Sequence, residues 1–163
     1  MAFFAVDGPV GRSMQKMATS SWFRKVGPKV LPRLDRTLHT LTGGRVIVSR
    51  ALVPSMVLTT IGRKSGLPRE SPLACVPDEV DGGWWVVGSN FGQTAHPAWT
   101  ANLIAEPKAD VSYRKAHTKV VAHLLTDEQK AEVWPTLVKV WPAYDQYVES
   151  SGRNIRVFHL TPA

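Results

Sequence analysis

Three short segments hold most of the side chains that could do chemistry in this sequence. Gly62-Arg63-Lys64-Ser65-Gly66 places two cations and a hydroxyl between glycines, and Arg69 follows three residues later. Glycines let successive backbone N–H groups converge on an anion, and Arg and Lys add charge and directed donors for phosphate or carboxylate. The spacing is too short for a P-loop, and an exposed basic hairpin turn would read the same way. Gly88-Ser89-Asn90-Phe91-Gly92 follows the apolar run Trp84-Trp85-Val86-Val87. Its glycines allow close backbone approach, Ser89 and Asn90 offer hydrogen bonds, and Phe91 offers a ring face. That set suits a flat heterocycle, although a plain loop also uses small residues. In the third segment Trp134, Trp141, Tyr144 and Tyr147 recur at spacings of seven, three and three. They form one helical stripe, which either packs a helix on a core or walls a substrate, with phenol O–H groups for a carbonyl or quinone oxygen.

Other candidates carry less. His96-Pro97 opens a helix whose N-terminus is a weak anion site, and His96 itself reads as a cap or packing residue. Trp99 and Asn102 lie three apart and share a helical face, with Trp99 reading as core. His117 and His123 share a strand face but sit too far apart to chelate, and His39 and His159 have no partner in sequence. No metal site is expected. Cys75 is the only cysteine, which excludes an internal disulfide and a Cys-based zinc site and fits a reducing cytoplasm.

The elements that must position these groups follow from periodicity. Met14, Met17, Trp22, Phe23, Val26 and Val30 form an apolar helical face opposite Arg12, Lys16, Arg24, Lys25 and Lys29. A second helix is expected near Pro32, ending at Gly43-Gly44. From Arg45 the period becomes two, and strands are expected over 45–49, 55–61, 71–76, 84–89, 109–114, 119–125 and 155–160. Asp81-Gly82-Gly83 reads as a hairpin turn, and residues 98–105 as a short helix. Thr126-Asp-Glu-Gln129 is a capping box for a helix running toward Val148, with a kink available at Pro135 and a break at Pro142. The result is an α+β domain, most simply a small barrel with helices packed outside and a helical extension before it.

Of the 163 residues, 44% are apolar and 20% charged, which suits one compact domain and argues against disorder. No apolar run is long enough to span a bilayer, and the opening residues make a poor signal peptide. Net charge is +7, distributed as +9 over residues 1–70 (12 Lys and Arg against 3 Asp and Glu) and −2 over residues 71–163. Such asymmetry attracts polyanions. Nucleic acid is not the expected partner, because no reader motif appears and the aromatics do not interleave with the basic cluster.

Six motifs in register resemble the deazaflavin-dependent nitroreductase and quinone-reductase family of actinobacteria. They are Leu58-Thr-Thr-Ile-Gly-Arg-Lys-Ser-Gly66, Pro72-Leu73, Val87-Gly-Ser-Asn-Phe-Gly92, His96-Pro-Ala-Trp99 with Asn102-Leu103, Trp141-Pro-Ala-Tyr-Asp-Gln-Tyr147 and Arg153-Asn-Ile-Arg-Val157. The likeness runs from about Leu31 onward. It implies a split β-barrel, of the type that also binds flavin, over residues 31–163, preceded by a basic amphipathic segment at 1–30. The implied cofactor is coenzyme F420, an 8-hydroxy-5-deazaflavin with an anionic tail of phosphate and glutamates. Its ligands by resemblance are Arg63, Lys64, Ser65, Gly66, Arg69, Gly88, Ser89, Asn90, Phe91, Gly92, Trp99 and Asn102. Ser89 matches the catalytic serine held to assist protonation, while Trp141, Tyr144 and Tyr147 match the substrate pocket. Some relatives carry Lys at Asn90, and many carry Tyr at Trp141.

The implied reaction passes hydride from the reduced coenzyme to a quinone, an enone or a nitro compound. Competing readings are a split-barrel protein using FMN or haem, and a non-catalytic module binding deazaflavin or anionic membrane. Residues 12–36 could rest on the inner leaflet in either case, and an oligomer is compatible with the resemblance.

Overall fold

The segment Ser55–Ile61, rich in β-branched residues, is the first strand of a barrel. A computed structural model of the chain describes residues 53–163. The expected helices before residue 44, the strand at 45–49 and the basic surface at 12–36 lie outside the described residues.

Six strands make up the barrel: β1 (Ser55–Ile61), β2 (Pro68–Pro77), β3 (Trp84–Val87), β4 (Lys108–Tyr113), β5 (Ala116–Leu124) and β6 (Val157–Pro162). Their spatial order is β1-β2-β3-β6-β5-β4, every pairing is antiparallel, and β4 returns to β1 to close the ring. Closure leaves no open edge to template aggregation. Among the described residues three α-helices accompany the strands: α1 (Ala98–Ala105), α2 (Asp127–Val140) and α3 (Ala143–Ser151).

Alternation along each strand feeds two cores. Met56, Leu58, Cys75, Val86, Val111, Val120, Phe158 and Leu160 form one, joined by Trp99 and Leu103 from α1. The adjacent positions Val76, Val87 and Val157 face the other way, onto Leu137, Trp141, Ala143, Tyr144 and Tyr147 of the α2–α3 region. Each fully buried side chain such as Phe158 or Leu160 contributes roughly 1.5–3 kcal/mol.

Several boundaries differ from the sequence expectation. β2 starts at Pro68 because Ile61, Thr60 and Thr59 pair with Pro68, Arg69 and Glu70, so register carries the strand through an exposed charged stretch. β3 stops at Val87, where the chain bends into the loop. The helix opened by the Thr126–Gln129 capping box continues through Pro135 and ends at Trp141, and α3 restarts after Pro142. A proline ring there denies the helix its next hydrogen bond, as expected of an interior break.

Candidate functional site

The loop between β3 and α1 is strained and held from several sides. Asn90, Phe91 and Gly92 all take left-handed backbone angles, with φ of 47°, 53° and 74°. Asparagine tolerates that region, but for Phe91 it costs about 1–3 kcal/mol, so the surroundings must impose it. Gly92 N–H donates to Ser89 O at 3.0 Å and Gln93 N–H to Asn90 O at 3.1 Å. The Asn90 side-chain amide donates to Ala95 O at 2.9 Å. From α3, the Ser150 hydroxyl donates to Gly92 O at 3.4 Å, and the Tyr147 ring meets Phe91 edge-on with centroids 6.4 Å apart.

The two glycines are fixed by protein contacts as well as by dihedrals. A Cβ on Gly92 would collide with the Ser150 hydroxyl and crowd Tyr147, and one on Gly88 would meet Thr100 Cγ2 at 2.8 Å and Arg156 O at 3.2 Å. Their small size therefore serves the docking of the loop onto α3, α1 and the segment before β6. Sequence alone attributed it to ligand approach.

Arg153 opens the last of the six motifs. In the structure its guanidinium lies under the same loop. It donates to Gly88 O (3.0 Å), Ser89 O (2.6 Å) and Gln93 O (2.9 Å), and meets His96 Nδ1 at 2.9 Å. Spacing along the chain carried no signal for this, since the partners lie 57 to 65 residues away. His96 has its pKa lowered, first by burial and then by the charges of Arg156 and Arg153. This neutral partnership replaces the capping role expected of it.

The basic turn is built differently. Gly62 O accepts from Ser65 N–H at 3.0 Å and from Gly66 N–H at 2.7 Å, and Gly66 sits at φ 67° with open space around it. Arg63, Lys64, Ser65, Gly66 and Arg69 are all exposed. Ser65 Oγ accepts from Leu67 N–H (3.3 Å) and, at the limit of range, from Arg69 Nη2 (3.5 Å). One firm tie reaches it from α1: the buried Asn102 accepts from Arg63 N–H at 3.2 Å and donates to Thr60 Oγ1 at 3.0 Å. Asn102 thus joins the basic turn to the helix that follows the glycine loop.

The remaining predicted residues are placed as follows. Trp99 is buried in the barrel core, its ring 5.7 Å from that of Phe158, which accounts for it as packing. Trp141, Tyr144 and Tyr147 are buried in the second core, and Tyr147 and Phe91 bring the aromatic helix against the loop. Burial pushes both phenol pKa values up, so Tyr144 and Tyr147 are protonated donors at neutral pH. Trp134 donates to Asp145 Oδ1 at 2.7 Å, fastening α2 to α3. His159, unpartnered in sequence, bonds the buried Asp78 at 3.0 Å and stacks on Trp85. His117 meets Ser112 Oγ at 2.8 Å, and His123 meets Thr161 Oγ1 at 3.2 Å. Among the described residues no cluster of His, Cys, Asp or Glu could hold a metal.

Known proteins share this arrangement. The family described as F420H(2)-dependent quinone reductase matches residues 31–162. The chain belongs to that family. A relative named F420H(2)-dependent quinone reductase, from Mycobacterium tuberculosis, is 30% identical over 151 residues, covering 89% of this chain and 99% of its own length. Among solved structures, an F420-H2 dependent reductase of type FDR-A superposes with a TM-score of 0.60 at 31% identity, covering 66% of this chain and 94% of that one. A structure described as a domain-swapped dimer gives 0.62 at 29% identity over 86% of this chain and 97% of that one. A haem storage protein from Vibrio cholerae, 16% identical with a TM-score of 0.53, shares the split-barrel fold alone. The chain is therefore an oxidoreductase of a family whose cofactor is coenzyme F420.

The residues present fit that coenzyme on their own chemistry. An anionic tail needs exposed cations, and Arg63, Lys64 and Arg69 stand exposed on one turn whose backbone is held by its own hydrogen bonds. A flat ring needs a rigid shelf with a polar rim, and the fixed Ser89–Gly92 turn supplies one.

Proposed function

We propose that this chain passes hydride from reduced F420 to a quinone, with the ring against Ser89–Gly92 and the tail on Arg63, Lys64 and Arg69. The observation that carries the residue assignment is the left-handed turn at Asn90–Gly92. Backbone strain held by surrounding contacts concentrates at sites where a ligand must be met in one geometry.

When bound, the coenzyme supplies the hydride from its deazaflavin ring, which is chemistry no side chain here can perform. The protein's own residues bind, orient and protonate. Arg63, Lys64 and Arg69 neutralise phosphate and carboxylates, Ser65 adds its hydroxyl, and Gly66 gives the turn its left-handed residue. Gly88, Phe91 and Gly92 set the shelf, and Asn90 holds it through Ala95 O. Asn102 acts through Arg63, and Trp99 acts through the core beneath α1. In this reading the hydroxyl of half-buried Ser89, the residue that opens the turn, donates a hydrogen bond to an acceptor oxygen and relays a proton. Trp141, Tyr144 and Tyr147 shape the acceptor side, with both phenols in the donor form. Enones and nitro compounds present a similar polarised oxygen and are accepted less well than quinones in this reading.

The catalytic domain is assigned to residues 31–163, with 1–30 as an extension. The basic surface at 12–36 is read as a peripheral foot on an anionic inner leaflet, which would bring the site to lipid-soluble quinones. No helix among the described residues is long and apolar enough to cross a membrane. Pairing of two copies is proposed from the structure described as a domain-swapped dimer.

The test is to titrate F420 into the purified protein and follow its fluorescence, then to oxidise F420H2 with quinone, enone and nitro acceptors. Saturable binding and quinone-dependent oxidation are expected, and unchanged fluorescence would sink the proposal. In the same preparation, co-sedimentation with anionic vesicles should occur and should vanish when residues 1–30 are removed. Sedimentation of the shortened protein to the same extent would exclude the foot.

A further inference from the structure

We propose that Arg153 is a positioning residue for this reaction: it holds the Gly88–Gln93 loop in the shape that receives the deazaflavin ring, with neutral His96 as its fourth anchor. The inference rests on the functional reading above and adds a residue to which that reading gave no part.

The route by which Arg153 reaches the loop is local. Helix α3 ends at Ser151, and Gly152 takes the left-handed C-terminal conformation at φ 63°, which turns the chain back. Arg153 then projects all three guanidinium nitrogens at acceptors: Nε at Gln93 O, Nη1 at Gly88 O and His96 Nδ1, and Nη2 at Ser89 O. Three of these four acceptors are main-chain carbonyls of the shelf, so the contact fixes backbone shape directly. Three residues on, Arg156 grips the neighbouring ends. Its carbonyl accepts from Gly88 N–H at 2.8 Å, and its Nη1 donates to Thr100 Oγ1 at 3.1 Å. The turn Gly152–Arg156 therefore spans the whole segment from β3 to α1. A lysine could not replace the fork, because one compact ammonium cannot face acceptors spread around a plane.

His96 makes the arrangement sensitive to acid. Nδ1 can accept from Arg153 only while it carries no proton. Protonation would set two donors face to face and bring a third cation beside Arg153 and Arg156, the charged groups facing His96 among the described residues. Both neighbours disfavour the imidazolium, so the anchor is intact at neutral pH and is released on the acid side of the ordinary imidazole range, below about 6.5.

The experiment compares wild type, Arg153→Lys and His96→Asn in three readouts. In Arg153→Lys, the F420 dissociation constant and the KM for F420H2 should rise roughly tenfold to a hundredfold. Far-UV circular dichroism should stay that of the wild type. Hydrogen exchange needs no coenzyme: the amides of Gly92 and Gln93 should lose protection in Arg153→Lys at least about tenfold, while barrel-strand amides keep theirs. Wild-type affinity or unchanged Gly92 and Gln93 protection in that variant overturns the proposal. For His96→Asn the readout is the ratio of the F420 dissociation constant below and above the imidazole range. The asparagine oxygen accepts without titrating, so the ratio should shrink relative to wild type. The coenzyme's own titration is common to both proteins, and equal ratios overturn the part given to His96. Failure of the wild type to bind F420 would instead sink the functional reading, and exchange at Gly92 and Gln93 would still decide whether Arg153 holds the loop.

Discussion

The basic turn and the glycine loop are both short, glycine-flanked connections at strand ends, yet they are built on opposite principles. The turn is exposed from Arg63 to Arg69, with long cationic side chains and one firm tie, through Asn102. The loop at Gly88–Gln93 is strained and gripped by Arg153, Arg156, α1 and α3. Charge attracts over distance and tolerates a moving partner, so a flexible polyanionic tail needs only a mobile cationic landing. Hydride transfer needs reacting atoms placed to within a fraction of an ångström, so its platform must be over-determined. Under the proposed function, the same molecule separates recognition from alignment.

The sharpest break of that contrast is Gly92→Ala. The substitution forces a side chain onto a left-handed residue and into Ser150 and Tyr147. It should cost about 2–4 kcal/mol of stability and abolish measurable turnover, whereas Gly66→Ala, with open space and a positive φ alone, should cost only about 1 kcal/mol. Thermal unfolding and F420H2 oxidation rates for the two variants decide; equal losses would erase the distinction.

A smaller effect is expected from Arg63→Glu. It should weaken F420 binding roughly tenfold or more, most strongly at low ionic strength, with kcat little changed at saturation. Proportional loss of kcat would mean that the turn aligns as well as attracts.

The smallest effect is a pH dependence of stability from His96. Its pKa is depressed in the fold while the unfolded chain keeps an ordinary value near 6.5. Its contribution is therefore complete above about pH 6.5 and is lost as pH falls toward the folded value. Urea midpoints should drop slightly on that side in the wild type and less in His96→Asn.

Legibility in the sequence divides along the same line. Strands rich in β-branched residues, such as Ser55–Ile61, were readable, as were the Thr126 capping box and the break at Pro142, because their signals are local. The turn at Gly62–Gly66 was readable for the same reason, since its two glycines mark it locally. The β4–β5 turn was not, since Arg114 and Lys115 adopt left-handed angles of 48° and 71° without the glycine or asparagine that announces such hairpins. Closure of β4 on β1 was also hidden, as was the pairing of His159 with Asp78, because each depends on strand order. The loop was recognisable through family resemblance, while the reason for its glycines lay in α1, α3 and the segment before β6. Arg153 is the extreme case: nothing near it in sequence says what its guanidinium grips.

The barrel order places β6 between β3 and β5, and the residues that seize the loop immediately precede β6. During folding the platform therefore cannot exist before this last described strand has inserted between two others already spoken for. Contacts spanning some sixty residues close late and slowly. Coenzyme affinity thus becomes a report on completed topology, and a chain stalled before β6 docks would keep its cationic turn yet lack the shelf.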